Sequence, residues 1–239
     1  MALTRSKDRK VANAVSPNGK TPTIANTFGL PAGKSYSCPG ATTVCEGVCY
    51  AGKLEKVYKG VKNVLLNNWE QLKDADYLTM YNLLDEMIVS FNADCEKRNA
   101  EKLFRIHWDG DFFNETYVLA WKDVILKHAD VQFWAYTRSE FAVEPLTGIA
   151  NLSLYFSTDS ANRSLGIRLK KKHDVKLAYL ATNFAEGKAD FKEIQDKPAA
   201  MCPENRKQIK LISEKGSACV SCSLCVFNKA DILFSATKK

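Results

Sequence analysis

Seven of the eight cysteines in this chain fall into two tight groups, Cys38, Cys45 and Cys49 near the front and Cys202, Cys219, Cys222 and Cys225 near the back, and that clustering points to bound metal. A disulfide framework would need an oxidising compartment and usually a small domain unable to build its own core. With 239 residues, 46% of them apolar, the chain has ample material for one core. Its N-terminus is polar from the start and lacks the apolar stretch of roughly 7 to 15 residues that a secretory signal requires. A cytoplasmic protein with reduced thiols available as ligands is expected. No apolar run approaches the roughly 20 residues needed to cross a bilayer, so an integral membrane protein is excluded and no membrane partner is expected.

The net charge of +7 comes partly from the ends. Residues 5–10 carry four basic side chains against one acid, the chain stops at Lys238-Lys239, and Lys170-Lys171-Lys172-His173 adds a local cluster. Base-stacking aromatics are not interleaved with these charges, so they read as a solvated helix end and frayed termini.

Along its length the chain alternates helix and strand. Residues 1–23 read as an irregular basic N-terminus, 24–185 as an α/β domain and 186–239 as a cluster-binding extension packed on that domain. Phe28-Gly29-Leu30-Pro31 suggests a short extended segment, and the first cysteine group a loop after it. Apolar stripes at helical spacing run through Val61, Val64, Leu65, Trp69 and Leu72, and then through Tyr77, Tyr81, Leu84, Met87, Ile88, Phe91 and Cys95. Cys95 belongs to that stripe and reads as a small buried hydrophobe rather than a ligand. Four strand-like runs follow, at 103–108, 131–137, 152–158 and 175–181, separated by helical segments. The first of these segments carries Tyr117, Trp121, Val124 and Ile125 on one face, with His128 in its last turn. The expected fold is α/β, a partial (β/α) barrel with mostly parallel strands and a C-terminal cysteine-rich metal-binding extension.

Side chains alternate across a strand, and the runs share a polar face. Arg105, His107 and Asp109 oppose Phe104, Ile106 and Trp108; Gln132, Trp134, Tyr136 and Arg138 oppose Val131, Phe133 and Ala135; Ser153, Tyr155, Ser157 and Asp159 oppose Leu152, Leu154, Phe156 and Thr158. Parallel strands covered by helices on both faces should be apolar throughout. A half-barrel lumen holding a polar ligand accounts for the polar face, and a simply wetted face is the alternative.

Polar residues also gather just past the strand ends, where the βα loops of α/β folds converge on a site. His107, Asp109, Asp111, Arg138 and Asp159 are the catalytic candidates, and Arg105, Tyr136, Ser157 and Asn162 the cofactor-binding ones. Asp, Ser and Asn at such junctions also serve as helix N-caps, and a hydrogen-bonded interior histidine is the other reading of His107.

The rear group, Cys219-x2-Cys222-x2-Cys225 with a remote Cys202-Pro203, has the spacing of ferredoxin-type 4Fe-4S clusters. Zinc is the alternative. The front group, Cys38-x6-Cys45-x3-Cys49, has three thiols and no histidine in its loop. A cluster held there would keep one iron open to a small molecule or to an outside side chain such as His107, and an open position marks a working metal rather than a structural one.

Three cysteines in a loop before a parallel half-barrel resemble radical SAM enzymes, whose open iron binds S-adenosylmethionine; their usual spacing is C-x3-C-x2-C. A likeness over nearly the whole chain is carried by Phe28-Gly29-Leu30-Pro31, the Cys-Pro-Gly through Cys-Tyr-Ala-Gly loop, His107-x-Asp109-Gly110-Asp111-Phe112, Trp134-x-Tyr136-Thr137-Arg138-Ser139 and the rear cysteines. These are similar to the phage-encoded gene product eighty-eight family. That resemblance implies a phage source and the host cytoplasm, and names no reaction. The leading expectation is a radical-SAM-like iron–sulfur enzyme that takes electrons from a donor and acts on a small-molecule ligand. The alternatives are a non-enzymatic iron–sulfur or zinc protein that binds a host protein or nucleic acid, and a redox sensor.

Overall fold

The computed structural model describes residues 2–12, 14–15, 22–213 and 216–237. Residues 1, 13 and 16–21 of the expected irregular N-terminus, and the Lys238-Lys239 end, lie outside the described residues. In chain order the elements are β1 (Thr27–Gly29), α1 (Thr43–Val48), α2 (Tyr50–Val57), α3 (Lys59–Leu72), α4 (Tyr77–Lys97), β2 (Leu103–Asp109), α5 (Glu115–Lys127), β3 (Gln132–Thr137), α6 (Val143–Leu146), β4 (Leu152–Thr158), α7 (Arg163–His173), β5 (Lys176–Ala181), α8 (Phe184–Ile194), β6 (Ala200–Met201), β7 (Ile212–Ser213), β8 (Gly216–Ser217), α9 (Ala218–Cys222) and β9 (Ile232–Ser235).

Seven strands form one parallel sheet in the order β1-β2-β3-β4-β5-β9-β6, open at both edges rather than closed into a barrel. The first five neighbours follow chain order, as successive right-handed βα crossovers produce. The C-terminal segment read as an extension instead supplies two strands to this sheet, with β9 inserted between β5 and β6. Ile232-Leu233-Phe234-Ser235 is too short to have stood out as a strand from its periodicity.

The helices start where local chemistry starts them. Asp76 accepts a hydrogen bond from Thr79 N at 2.8 Å at the head of α4, and Asn114 accepts one from Tyr117 N at 2.8 Å at the head of α5. The expected stripes face inward for most of their length: Leu84, Met87, Ile88, Phe91 and Cys95 of α4 and Tyr117, Trp121, Val124 and Ile125 of α5 are buried, while Tyr77, at the first turn of α4, is exposed. They pack in one cluster with Phe104, Ile106, Phe133, Ala135, Leu154 and Phe156 of the sheet and with Val143, Leu169 and Phe191 of the later helices. Each large side chain so buried contributes about 1.5–3 kcal/mol. His128 caps the end of α5 and meets Asp85 at 2.8 Å.

Among the described residues, the opposite face of the sheet is covered in large part by the cysteine-rich segment. Leu103 and Trp134 pack there with Val11, Val226, Cys219 and Cys225, and Tyr155 and Ala178 with Ile232, Cys202 and Leu224. Its polar side chains hold the cysteine-rich segment down. Gln132 Nε2 and Ser153 Oγ both donate to Val226 O, at 3.0 and 2.8 Å, and Tyr155 OH donates to Ala230 O at 3.0 Å. A buried loop needs partners for its carbonyls, and these residues provide them.

Two further expectations change. The basic cluster at the end of α7 is not wholly solvated, since Lys170 Nζ pairs with Asp231 at 2.9 Å while Asp231 also accepts from Leu177 N at 2.7 Å, tying the helix to the sheet. His107 does not share a face with Arg105 and Asp109. Thr27 pairs with Arg105 and Gly29 with Asp109, so β2 carries extra residues opposite β1, and His107 takes them up with a left-handed φ of 60°. Its ring turns to the helical side, among Phe28, Phe112 and Trp121, with Nε2 and Tyr117 OH hydrogen-bonded at 2.9 Å.

Candidate metal centres

The front cysteines sit where the chain crosses the C-terminal edge of the sheet after β1. Cys38 lies in a turn, Cys45 within α1 and Cys49 at the junction of α1 and α2, so much of the expected loop is helical. Thr42 starts α1 by accepting from Cys45 N at 3.0 Å, and Cys49 Sγ accepts from Gly52 N at 3.3 Å at the start of α2. The Cys38-Pro39-Gly40 turn is pressed against the end of β3: a side chain at Gly40 would place its Cβ 2.2 Å from Arg138 O. Gly110, with φ of 82°, lets the turn after β2 pass Leu30 and Ser37.

Four of the five catalytic candidates surround these thiols. Arg138 Nη1 meets Asp159 Oδ2 at 2.8 Å, and Thr42 Oγ1 donates to the same oxygen at 2.6 Å, so the pair holds the cap of α1. Asp111 accepts from Thr137 Oγ1, Arg138 N and Phe112 N, each at 2.7 Å. Burial outweighs those bonds and pushes its carboxyl up to about 6. Burial and the neighbouring Glu55 hold Asp109 well above the usual carboxylate range.

Glu55 is a site residue that sequence reasoning missed. It accepts from Ala32 N at 2.9 Å and turns inward from a helix whose other charges face out. Thr42 had a readable signal, a hydroxyl three residues before Cys45 at a helix start.

Burial raises the pKa of all three front thiols, with Asp111 adding for Cys38, while Arg138 pulls Cys45 down and the Gly52 N–H pulls Cys49 down. A bound cation would supply the charge that ionises them.

The rear cysteines lie on the sheet face away from the helices. Cys219 and Cys222 are on α9, Cys225 in the turn that follows, and Cys202 after β6. Burial pushes Cys225 up to about 12, opposed by a hydrogen bond with Tyr136, and also raises Cys219, opposed by Arg105. Arg105 pairs with Asp8 at 3.4 Å and lies over the Tyr136 ring at 5.5 Å. These two cofactor candidates therefore belong to the rear group. Of the other two, Ser157 lies near the end of β4 and Asn162 in the turn after it, where Asn162 Nδ2 donates to Ser157 O at 3.2 Å and its Oδ1 accepts from Asp159 N at 2.8 Å. His107 stands apart in its aromatic pocket.

None of the eight cysteines is in a disulfide. Among the described residues, no three His, Cys, Asp or Glu side chains converge closely enough to hold a single metal ion. No helix among them is long and apolar enough to cross a membrane.

The family profile described as Gene product 88 matches residues 1–228. This chain belongs to that family. It is 52% identical over 242 residues to the Gene 88 protein of Mycobacterium phage L5, covering 99% of each chain. It is also 52% identical over 244 residues to the Gene 88 protein of Mycobacterium phage D29, covering 100% of this chain and 99% of the relative. No solved structure matches this member of the Gene product 88 family.

Proposed function

We propose that this family member is an iron–sulfur protein of radical-SAM-like type, with Cys38, Cys45 and Cys49 holding a cluster that leaves one iron open and Cys202, Cys219, Cys222 and Cys225 ligating a second. The observation that carries the reading is that Cys38, Cys45 and Cys49 each lie beside the strand-end charges Asp109, Asp111, Arg138 and Asp159 at the C-terminal edge of a parallel sheet. What supports the group is number and spacing in the sequence: the front offers three thiols and the rear four, at the C-x2-C-x2-C spacing. Once loaded and reduced by one electron from an external donor, the front site would supply reductive cleavage of S-adenosylmethionine. Arg138, fixed by Asp159, offers a cation to the carboxylate end of that ligand, and the buried carboxyls of Asp109 and Asp111 sit beside the thiols. The host cytoplasm, where thiols stay reduced, is the compartment this chemistry needs.

A second reading, metals that only fix the shape of a protein binding a host factor or nucleic acid, is favoured by the way the strand-end acids are engaged. Asp111 and Asp159 each take several hydrogen bonds from the fold itself. Anaerobic purification with iron, zinc and acid-labile sulfide analysis decides between metals. About seven to eight irons per chain with matching sulfide is expected if both clusters are 4Fe-4S, and stoichiometric zinc without sulfide sinks the iron–sulfur reading. A loaded protein that shows no spectral response to S-adenosylmethionine and forms no 5′-deoxyadenosine under reductant moves the assignment to the second reading.

A further inference from the structure

We propose that the outer surface of α2 and the start of α3 binds single-stranded nucleic acid. Lys53 and Lys56 stand three residues apart on α2, and Lys59 and Lys62 repeat that spacing on α3; all four are exposed. Side chains three apart share a helix face, so each helix presents a lysine pair. None of the four is ion-paired to an acid among the described residues, whereas Lys73, Lys102, Lys127 and Lys170 all are. The one acid between Lys53 and Lys62 is Glu55, which is turned inward to Ala32 N. The outward charge of this stretch is therefore entirely positive.

A row of solvated lysines alone would be ordinary. Here the same short stretch also exposes Val57 at 69%, Tyr58 at 56% and Tyr50 at 47%, a local grouping rather than a scatter of single side chains. Tyr58 sits at the joint, ending α2 and starting α3, with lysines on both sides. Tyr50 is held in place by its hydroxyl, which donates to Trp108 O at 2.9 Å, and Lys10 Nζ lies over its ring at 5.4 Å, so the stacking role falls to Tyr58. Lysines that track phosphates, interleaved with an aromatic ring on which a base can stack, are what unpaired strands recognise, because duplex bases offer no free ring faces. Tyr50 directly follows Cys49, so a strand bound here lies beside the front thiols. The inference stands whether or not those thiols hold metal.

The test is fluorescence anisotropy of the full chain with labelled 20-nucleotide oligothymidylate and oligouridylate, with a 20-base-pair duplex and polyglutamate as competitors, across a salt series. Four lysine–phosphate contacts predict a log–log salt slope of about −3. Lys53→Gln/Lys56→Gln/Lys59→Gln/Lys62→Gln should flatten that slope, and Tyr58→Ala should weaken binding roughly 5- to 100-fold while leaving the slope in place. Lys171→Gln/Lys172→Gln, on the remote end of α7, serves as the control for general charge, and circular dichroism confirms that each variant is folded. Absence of binding at low salt, equal loss from the α7 control, or equal competition by polyglutamate or duplex overturns the proposal.

Discussion

Arg138 and Asp159 form an ion pair of 2.8 Å between the ends of β3 and β4, with side chains only 9% and 0% exposed, and through Thr42 the pair reaches the helix that carries Cys45. One interaction thus joins two strand ends to the front thiols. Removing one partner of a buried pair leaves the other charge unsolvated, which costs about 3–5 kcal/mol. Asp159→Asn should lower the unfolding free energy by that order in urea titration, and Thr42→Ala by about 1 kcal/mol through the lost cap. A change below about 0.5 kcal/mol for Asp159→Asn would mean the pair is open to solvent.

The two thiol groups should differ in their coupling to folding. The rear four come from segments on both sides of β7 and β8 and cover a sheet face, so ligation there closes a long loop. Cys222→Ser should lower the melting temperature and solubility of protein purified anaerobically. Cys45→Ser should remove part of the bound metal and leave the melting temperature close to that of the parent, and the reverse ranking would show that the structural and working sites have been exchanged.

Buried His107 makes a pH prediction. Burial and then Arg105 lower its pKa to about 3 in the folded chain, against about 6.5 when unfolded. Between those values the unfolded chain binds the extra proton, so stability is complete above about pH 6.5 and falls as pH drops toward 3. The slope from this group is at most about 1.4 kcal/mol per pH unit. His107→Asn, which tolerates the left-handed backbone, should show a shallower acid-side loss in denaturant titrations between pH 6 and 4.5; an unchanged slope would place the ring in contact with water.

Tyr155 anchors the cysteine-rich segment through Leu224 O at 3.3 Å and Ala230 O at 3.0 Å. Tyr155→Phe keeps the ring and removes that donor, at a cost of about 1 kcal/mol. Hydrogen exchange and proteolysis should accelerate at residues 219–231 while the helical side stays protected. Uniform acceleration across the sheet would instead mean that the segment and the sheet open as one unit.

Much of this architecture is written in local pattern. The inward faces of α4 and α5, the four central strands and the division of Phe104, Phe133 and Leu154 from Arg105, Trp134 and Ser153 follow from periods of 3.6 and 2, which a linear chain displays directly. The two cysteine groups are visible in the sequence as spacing. What covers each sheet face is not, because a pattern tells which residues share a face and says nothing of the distant segment that packs on it. Gln132, Ser153 and Tyr155 look like lumen residues until Val226 and Ala230, 73 to 94 residues away, bring their carbonyls to them. His107 looks like a partner of Asp109 until the mismatch between β1 and β2 turns it to the other side. Glu55 looks like one more solvated charge on a lysine-rich helix until Ala32 and Asp109 fix it from the inside. In each case a contact remote in sequence, made only when the sheet assembles, set the direction of a side chain that its neighbours in the chain left open.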